Sequence, residues 1–212
     1  MRIHRLDRIT DGGVIAILRG VERDDAVAVA DAVVDAGVTA LEVTADTPDA
    51  TSSIEAISDR VDDALVGAGT VLDSETARAA QRAGAEFLVT PTVNPDVVRT
   101  ANRYGTPIAV GAYTPTEAIE AYQAGADLVK VFPAKTGGPD HVAAIGGPLP
   151  QVPLVPTGGV GPANAGDYIR AGAAAVGVGS GIVDREAIAD GAFDAIESNA
   201  RAVVEAVSAA RE

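Results

Sequence analysis

The sequence predicts a single-domain (β/α)8 TIM barrel over residues 1–212, and three observations carry that prediction. Eight short apolar, β-branched runs alternate with longer Ala-rich helical stretches. No linker or low-complexity segment interrupts the alternation. Four helix ends repeat closely as DAGVTALEVT, RAGAEFLVTP, QAGADLVKVF and RAGAAAVGVG, and their glycines Gly37, Gly84, Gly125 and Gly172 lie 47, 41 and 47 residues apart. That spacing fits two βα units per repeat, and four similar quarters suit a closed ring. A doubly wound open sheet shares the alternation, because periodicity does not register closure.

Taken in order, the expected strands are Val14–Leu18, Ala40–Thr44, Ala64–Ala68, Phe87–Thr90, Ile108–Gly111, Leu128–Phe132, Pro153–Pro156 and Ala175–Val178. Gly, Pro, Asp or Ser marks each boundary, and Pro91 and Pro133 stop the fourth and sixth runs. Asp24–Asp35, Ser74–Ala83 and Pro115–Ala124 read as helices between them. Each repeat glycine is placed to supply the left-handed residue that ends a helix before an even-numbered strand. His4 precedes the first strand and reads as a surface residue; His141, in GGPDHV, belongs to the first turn of the helix after the sixth strand.

Composition removes several classes of function. Lys and Arg total 16 against 30 Asp and Glu, a formal charge of −14. Without cysteine there is no disulfide framework, thiol nucleophile or zinc ribbon. His4 and His141 are thin material for a transition-metal site, so no metal is expected. So acidic a chain, only 3% aromatic, is a poor binder of nucleic acid or anionic membranes. MRIHRLDRIT is mixed polar and no apolar run approaches membrane-spanning length, which reads as a cytoplasmic protein. The bases are 14 Arg and only two Lys, Lys130 and Lys135. Acid excess with lysine depletion suggests a halophilic, salt-rich cytoplasm, where screening lowers the self-repulsion of a carboxylate surface. An ordinary acidic protein is the plainer alternative.

The repeat also places chemistry. The fifth residue after each repeat glycine is Glu42, Val89, Lys130 and Gly177. Alternate strands of such a barrel contribute four side chains to one interior layer, so Glu42 and Lys130 should face each other across the axis, with Val89 and Gly177 leaving space beside them. Lys130 lies mid-strand in LVKVF, where burial disfavours the ammonium and frees the amine as a nucleophile. A chain that elsewhere uses Arg keeps Lys here, and Arg cannot form a Schiff base. Glu42, close by, could shuttle protons beside an imine carbon. The alternative is a buried ion pair without chemistry. Lys135, in FPAKTGG, reads as a solvated or substrate-rim charge.

Two glycine-rich strand ends, PTGGVGPAN (156–164) and VGVGSGI (176–182), stand where barrels commonly bind phosphate through backbone N–H groups and a helix N-terminus. GAGTV (67–71) puts the Thr70 hydroxyl at the barrel mouth, or makes it a helix cap. Arg19, in AILRG, could clamp a carboxylate or phosphate, or form an exposed salt bridge.

AILRG, LEVT, VGAGTVL, VKVFPA, PTGGV and VGVGS, in this order over about residues 10–205, resemble the 2-keto-3-deoxy-6-phosphogluconate (KDPG) aldolase family. That family includes 4-hydroxy-2-oxoglutarate (KHG) and 2-keto-3-deoxy-6-phosphogalactonate aldolases. The resemblance implies a class I aldolase of Entner–Doudoroff carbohydrate metabolism, free of metal and cofactor, assembled as a homotrimer. Lys130 matches the Schiff-base lysine and Glu42 the general acid/base acting through water. Thr70 matches the threonine that helps hold the pyruvate carboxylate, and Phe132 and Pro91 match pocket-wall residues. Gly158, Gly159, Gly179 and Ser180 match the phosphate-binding segment.

One departure stands out. Gluconate-type members often read LEVTLRT, whose Arg contacts the pyruvate-derived carboxylate, whereas this chain reads LEVTADT with Asp46 at that position. An acid cannot clamp a carboxylate, so Arg19 takes over or the substrate is held differently. Galactonate-type relatives also lack that Arg and keep ILRG, which leaves the C4 configuration open. The expected reaction is reversible cleavage of a phosphorylated 2-keto-3-deoxy sugar acid to pyruvate and glyceraldehyde 3-phosphate. The competing readings are a phosphosugar isomerase or epimerase using Glu42 as base, and a non-catalytic phosphosugar-binding barrel.

Overall fold

Strands apolar on both faces must be covered on both, and here each strand is buried along its whole length. The computed structural model describes residues 1–212. Its strands are β1 (Val14–Leu18), β2 (Ala40–Thr44), β3 (Leu65–Gly69), β4 (Phe87–Thr90), β5 (Ile108–Ala112), β6 (Leu128–Val131), β7 (Leu154–Pro156) and β8 (Val176–Val178). All pair in parallel in the order β7-β6-β5-β4-β3-β2-β1-β8. A parallel bridge between Thr157 and Gly177 joins the two ends, so the sheet is a nearly closed barrel and the open-sheet alternative falls.

The surrounding helices are α1 (Arg2–Gly12), α2 (Arg23–Asp35), α3 (Ala50–Ser58), α4 (Ser74–Arg82), α5 (Pro95–Arg103), α6 (Pro115–Ala124), α7 (Gly138–Gly146), α8 (Ala165–Arg170), α9 (Arg185–Ala189) and α10 (Phe193–Ala209). No helix is long and apolar enough to cross a membrane. The four repeat glycines have φ of 96°, 104°, 102° and 96°. In each repeat the next residue donates five positions back: Val38 to Val33, Ala85 to Ala80, Ala126 to Ala121 and Ala173 to Tyr168. The sequence repeat is therefore one helix stop used four times.

Several strand ends differ from expectation by one residue. β3 runs from Leu65 to Gly69, β5 reaches Ala112, and β7 and β8 begin at Leu154 and Val176. Pro153 has no N–H to give the ladder, although its carbonyl accepts from Val129 at 2.8 Å. β6 stops at Val131, leaving Phe132 past the ladder.

Two apolar layers result. The larger packs the helices on the outside of the barrel. The smaller fills its interior with Ile15, Ala40, Leu65, Phe87, Val89, Ala109, Leu128, Val155 and Ala175, and Ile9 of α1 joins it from below. No sequence pattern announces α1. It closes the end where the strands begin: Arg2 donates to Asp127 at 2.6 and 3.0 Å, Arg5 to Glu86 at 2.8 Å, and Arg8 to the Asp63 carbonyl at 2.7 Å. His4 lies exposed on this helix, and His141 lies in the first turn of α7.

Candidate active site

Side chains alternate along a strand, and the register sets Glu42 of β2 beside Gly67 of β3, and Lys130 of β6 between Gly111 and Val155. Both charged groups point into the barrel just above the apolar interior layer. Lys130 Nζ lies 4.0 Å from Glu42 Oε1, with side chains 7% and 2% exposed. That is too long for a direct hydrogen bond and short enough for the two groups to feel each other's charge. Glu42 Oε1 is buried without a hydrogen-bond partner, so its accepting capacity is unspent.

Glycines make this floor possible. A Cβ on Gly69 would overlap the Glu42 carboxylate, and one on Gly67 would overlap the Phe87 ring. A Cβ on Gly111 would overlap the backbone of Pro91, which lets that turn close over the site. The room beside Gly177 is not open, however. The buried Thr157 side chain occupies it, in contact with the site where a Cβ would sit.

Arg19, Lys130, Phe132, Gly158, Gly159, Gly179 and Ser180 line one cavity of about 640 Å³. Thr157, Ile17 and Arg185 also line it, and sequence reasoning does not mark them. Thr157 is visible only as part of PTGG, and Arg185 carries no motif. Glu42, Thr70 and Pro91 lie outside this lining. The Phe132 ring centre is 5.3 Å from Lys130 Nζ, an aromatic face toward a cation.

At the mouth, Arg19 donates to Asp46 at 2.7 Å and to the Thr70 hydroxyl at 2.8 Å. Thr70 has φ of 55°, a costly conformation for a β-branched residue, and it is not a cap; the cap of α4 is Asp73. Partial burial works against the Asp46 carboxylate. Hydrogen bonding from Thr44 and the Arg19 charge outweigh it and hold the carboxyl below its ordinary 3.8.

The two glycine loops line the same cavity. Gly158 and Gly159 have φ of 91° and 81°, and Asn164 braces their loop by accepting from Gly161 N–H and donating to the Gly159 carbonyl. The N–H groups of Gly158, Gly159, Gly179 and Ser180 donate to no acceptor within the protein. Such a set of free donors is a cradle for an anion. At the start of the helix that follows, one N–H is already taken. In α9 the Asp184 carboxylate already accepts from Glu186 N–H. Lys135 is exposed and packs against Gly159, at the rim.

A cavity lined by a buried amine and by free N–H donors, with a carboxylate 4.0 Å from that amine, can hold a carbonyl compound that carries an anionic tail. The family profile described as KDPG and KHG aldolase matches residues 6–199. The chain is 43% identical over 169 residues to the 2-dehydro-3-deoxy-6-phosphogalactonate aldolase of Escherichia coli K12, covering 79% of this chain and 82% of the relative. It is 36% identical over 198 residues to the KHG/KDPG aldolase of the same organism, covering 93% of each. Its fold matches the KDPG aldolase of Legionella pneumophila, solved with pyruvate captured as a covalent carbinolamine, with a TM-score of 0.86, 32% identity, and coverage of 92% and 96%. With that profile spanning most of its length, the chain belongs to the KDPG and KHG aldolase family.

Proposed function

We propose that this aldolase cleaves a 6-phosphorylated 2-keto-3-deoxy sugar acid to pyruvate and glyceraldehyde 3-phosphate, with Lys130 as Schiff-base nucleophile. The observation that carries the reading is Lys130, buried in the lining of a cavity that also bears free N–H donors, with the Glu42 carboxylate 4.0 Å from its Nζ. Lys130 attacks the C2 ketone, and the carbinolamine loses water to give an iminium. Glu42, directly or through water, takes the C4 hydroxyl proton as the C3–C4 bond breaks. The electron pair of that bond moves into the iminium to give an enamine. Protonation at C3 and hydrolysis then release pyruvate and restore the amine.

Arg19, braced by Asp46 and bonded to Thr70, meets the pyruvate-derived carboxylate, so Asp46 acts through Arg19. Phe132 walls the cavity, and Pro91, outside its lining, packs against Gly111, the register neighbour of Lys130. Gly158, Gly159, Gly179 and Ser180 receive the phosphate. The gluconate and galactonate epimers both fit this scheme. The assembly is a homotrimer, and the −14 charge suits a salt-rich cytoplasm.

Borohydride reduction in the presence of pyruvate, followed by mass spectrometry, tests the mechanism. A reduced pyruvyl adduct on Lys130 is expected, and Lys130→Arg should abolish both adduct and turnover. A protein that turns over substrate yet yields no adduct on Lys130 would sink the Schiff-base reading.

A further inference from the structure

We infer that Arg185 is a phosphate-recognition residue, a guanidinium added to the glycine cradle that selects phosphorylated over non-phosphorylated substrates. The inference rests on the phosphorylated-substrate reading above and deepens it. Arg185 lines the same cavity as Lys130, Gly159, Gly179 and Ser180. The chain from β8 turns back on itself there, with Ile182 and Val183 donating to the Gly179 carbonyl, which brings Arg185 round to the cavity wall. One of its terminal nitrogens lies 3.0 Å from the point a Cβ on Gly20 would occupy, so it reaches across to the end of β1.

The two cavity guanidiniums differ in what they already hold. Arg19 is committed to Asp46 and Thr70. The Arg185 side chain makes no hydrogen bond and no ion pair within the protein. This holds although four carboxylates surround it: Asp184 and Glu186 beside it in sequence, and Glu22 and Asp25 across a neighbouring cleft. Asp184 is occupied at the start of α9. A planar guanidinium left free on the same cavity as unpaired backbone N–H groups suits a phosphate monoester, which offers several oxygens at once. The cradle alone binds through dipoles; Arg185 adds full charge, and its effect should weaken with ionic strength.

The test compares kcat/KM for 2-keto-3-deoxy-6-phosphogluconate and for its non-phosphorylated counterpart in wild type, Arg185→Gln and Arg185→Lys. Arg185 is exposed and unpaired, so the variants should fold, and borohydride trapping of pyruvate on Lys130 checks that the floor is intact. The ratio of the two kcat/KM values should fall about tenfold in Arg185→Gln and recover in part in Arg185→Lys. Inorganic phosphate should inhibit Arg185→Gln more weakly as a competitor. A ratio within about twofold of wild type, including equal loss on both substrates, overturns the assignment. If the wild type itself does not prefer the phosphorylated acid, the substrate reading fails and takes this inference with it. If it does and the ratio stays put, this inference alone fails.

Discussion

At Gly69 the absence of a side chain does more than relax the backbone. The glycine sits beside the Glu42 carboxylate in space that a methyl group would claim. Gly69→Ala should therefore push Glu42 off its line to Lys130. We expect kcat to fall by about 100-fold, because small misplacement of a proton-transfer group is costly. Trapping of pyruvate on Lys130 should persist, since that step needs the amine. Full kcat in Gly69→Ala would show that Glu42 has freedom the packing denies it. Lys130 and Glu42 are legible in the sequence, because four similar repeats put them in one layer and lysine is scarce in this chain. Gly69 is not, because a glycine at a strand end also serves turns. Arg185 is hidden for another reason: one of 14 arginines acquires meaning only when its neighbours are known.

The elements that hold these residues are short and depend on their ends. α6 begins with a reciprocal cap in which Glu117 N–H donates to Thr114, while Glu117 accepts from the Tyr113 and Thr114 N–H groups, both at 2.8 Å. The Tyr113 carbonyl also accepts from His141 Nε2 at 2.7 Å, tying the end of β5 to α7. Thr114→Ala should cost about 1 kcal/mol in denaturant unfolding, as loss of a side-chain cap does. The N–H groups of Thr114 and Tyr113 hold the Glu117 carboxyl below its ordinary 4.5. The folded state thus favours the charged form, and the stabilisation is complete above 4.5 and lost as pH falls through the lower folded value. Glu117→Gln should flatten the acid limb of stability there and leave the dependence near neutrality unaltered. The glycine helix stops are readable because only one backbone conformation suits them. α1 is not, because it buries Ile9 alone and is held by arginines whose partners lie 125, 81 and 55 residues away.

Over the whole molecule the formal charge of −14 dominates behaviour in solution. Most carboxylates lie on the surface without a cationic partner, so raising KCl from about 0.1 M to about 2 M should screen their repulsion and raise the melting midpoint by at least about 5 °C. Light scattering across the same series should report three chains per particle. A flat or falling midpoint would make the acidity incidental. The fourfold repeat in the sequence favours closure of the barrel, and the contacts that make it lie between residues 20 positions apart: the Thr157–Gly177 bridge and the Ala174 N–H donating to the Leu154 carbonyl at 2.9 Å. The other neighbouring strands share ladders of two or more registered pairs. Both glycine loops of the anion cradle spring from the two sides of that join, Gly158 and Gly159 after β7 and Gly179 and Ser180 after β8. Closing the ring is therefore also what gathers the cradle, because in an open sheet β7 and β8 would stand at opposite edges and hold its two halves apart.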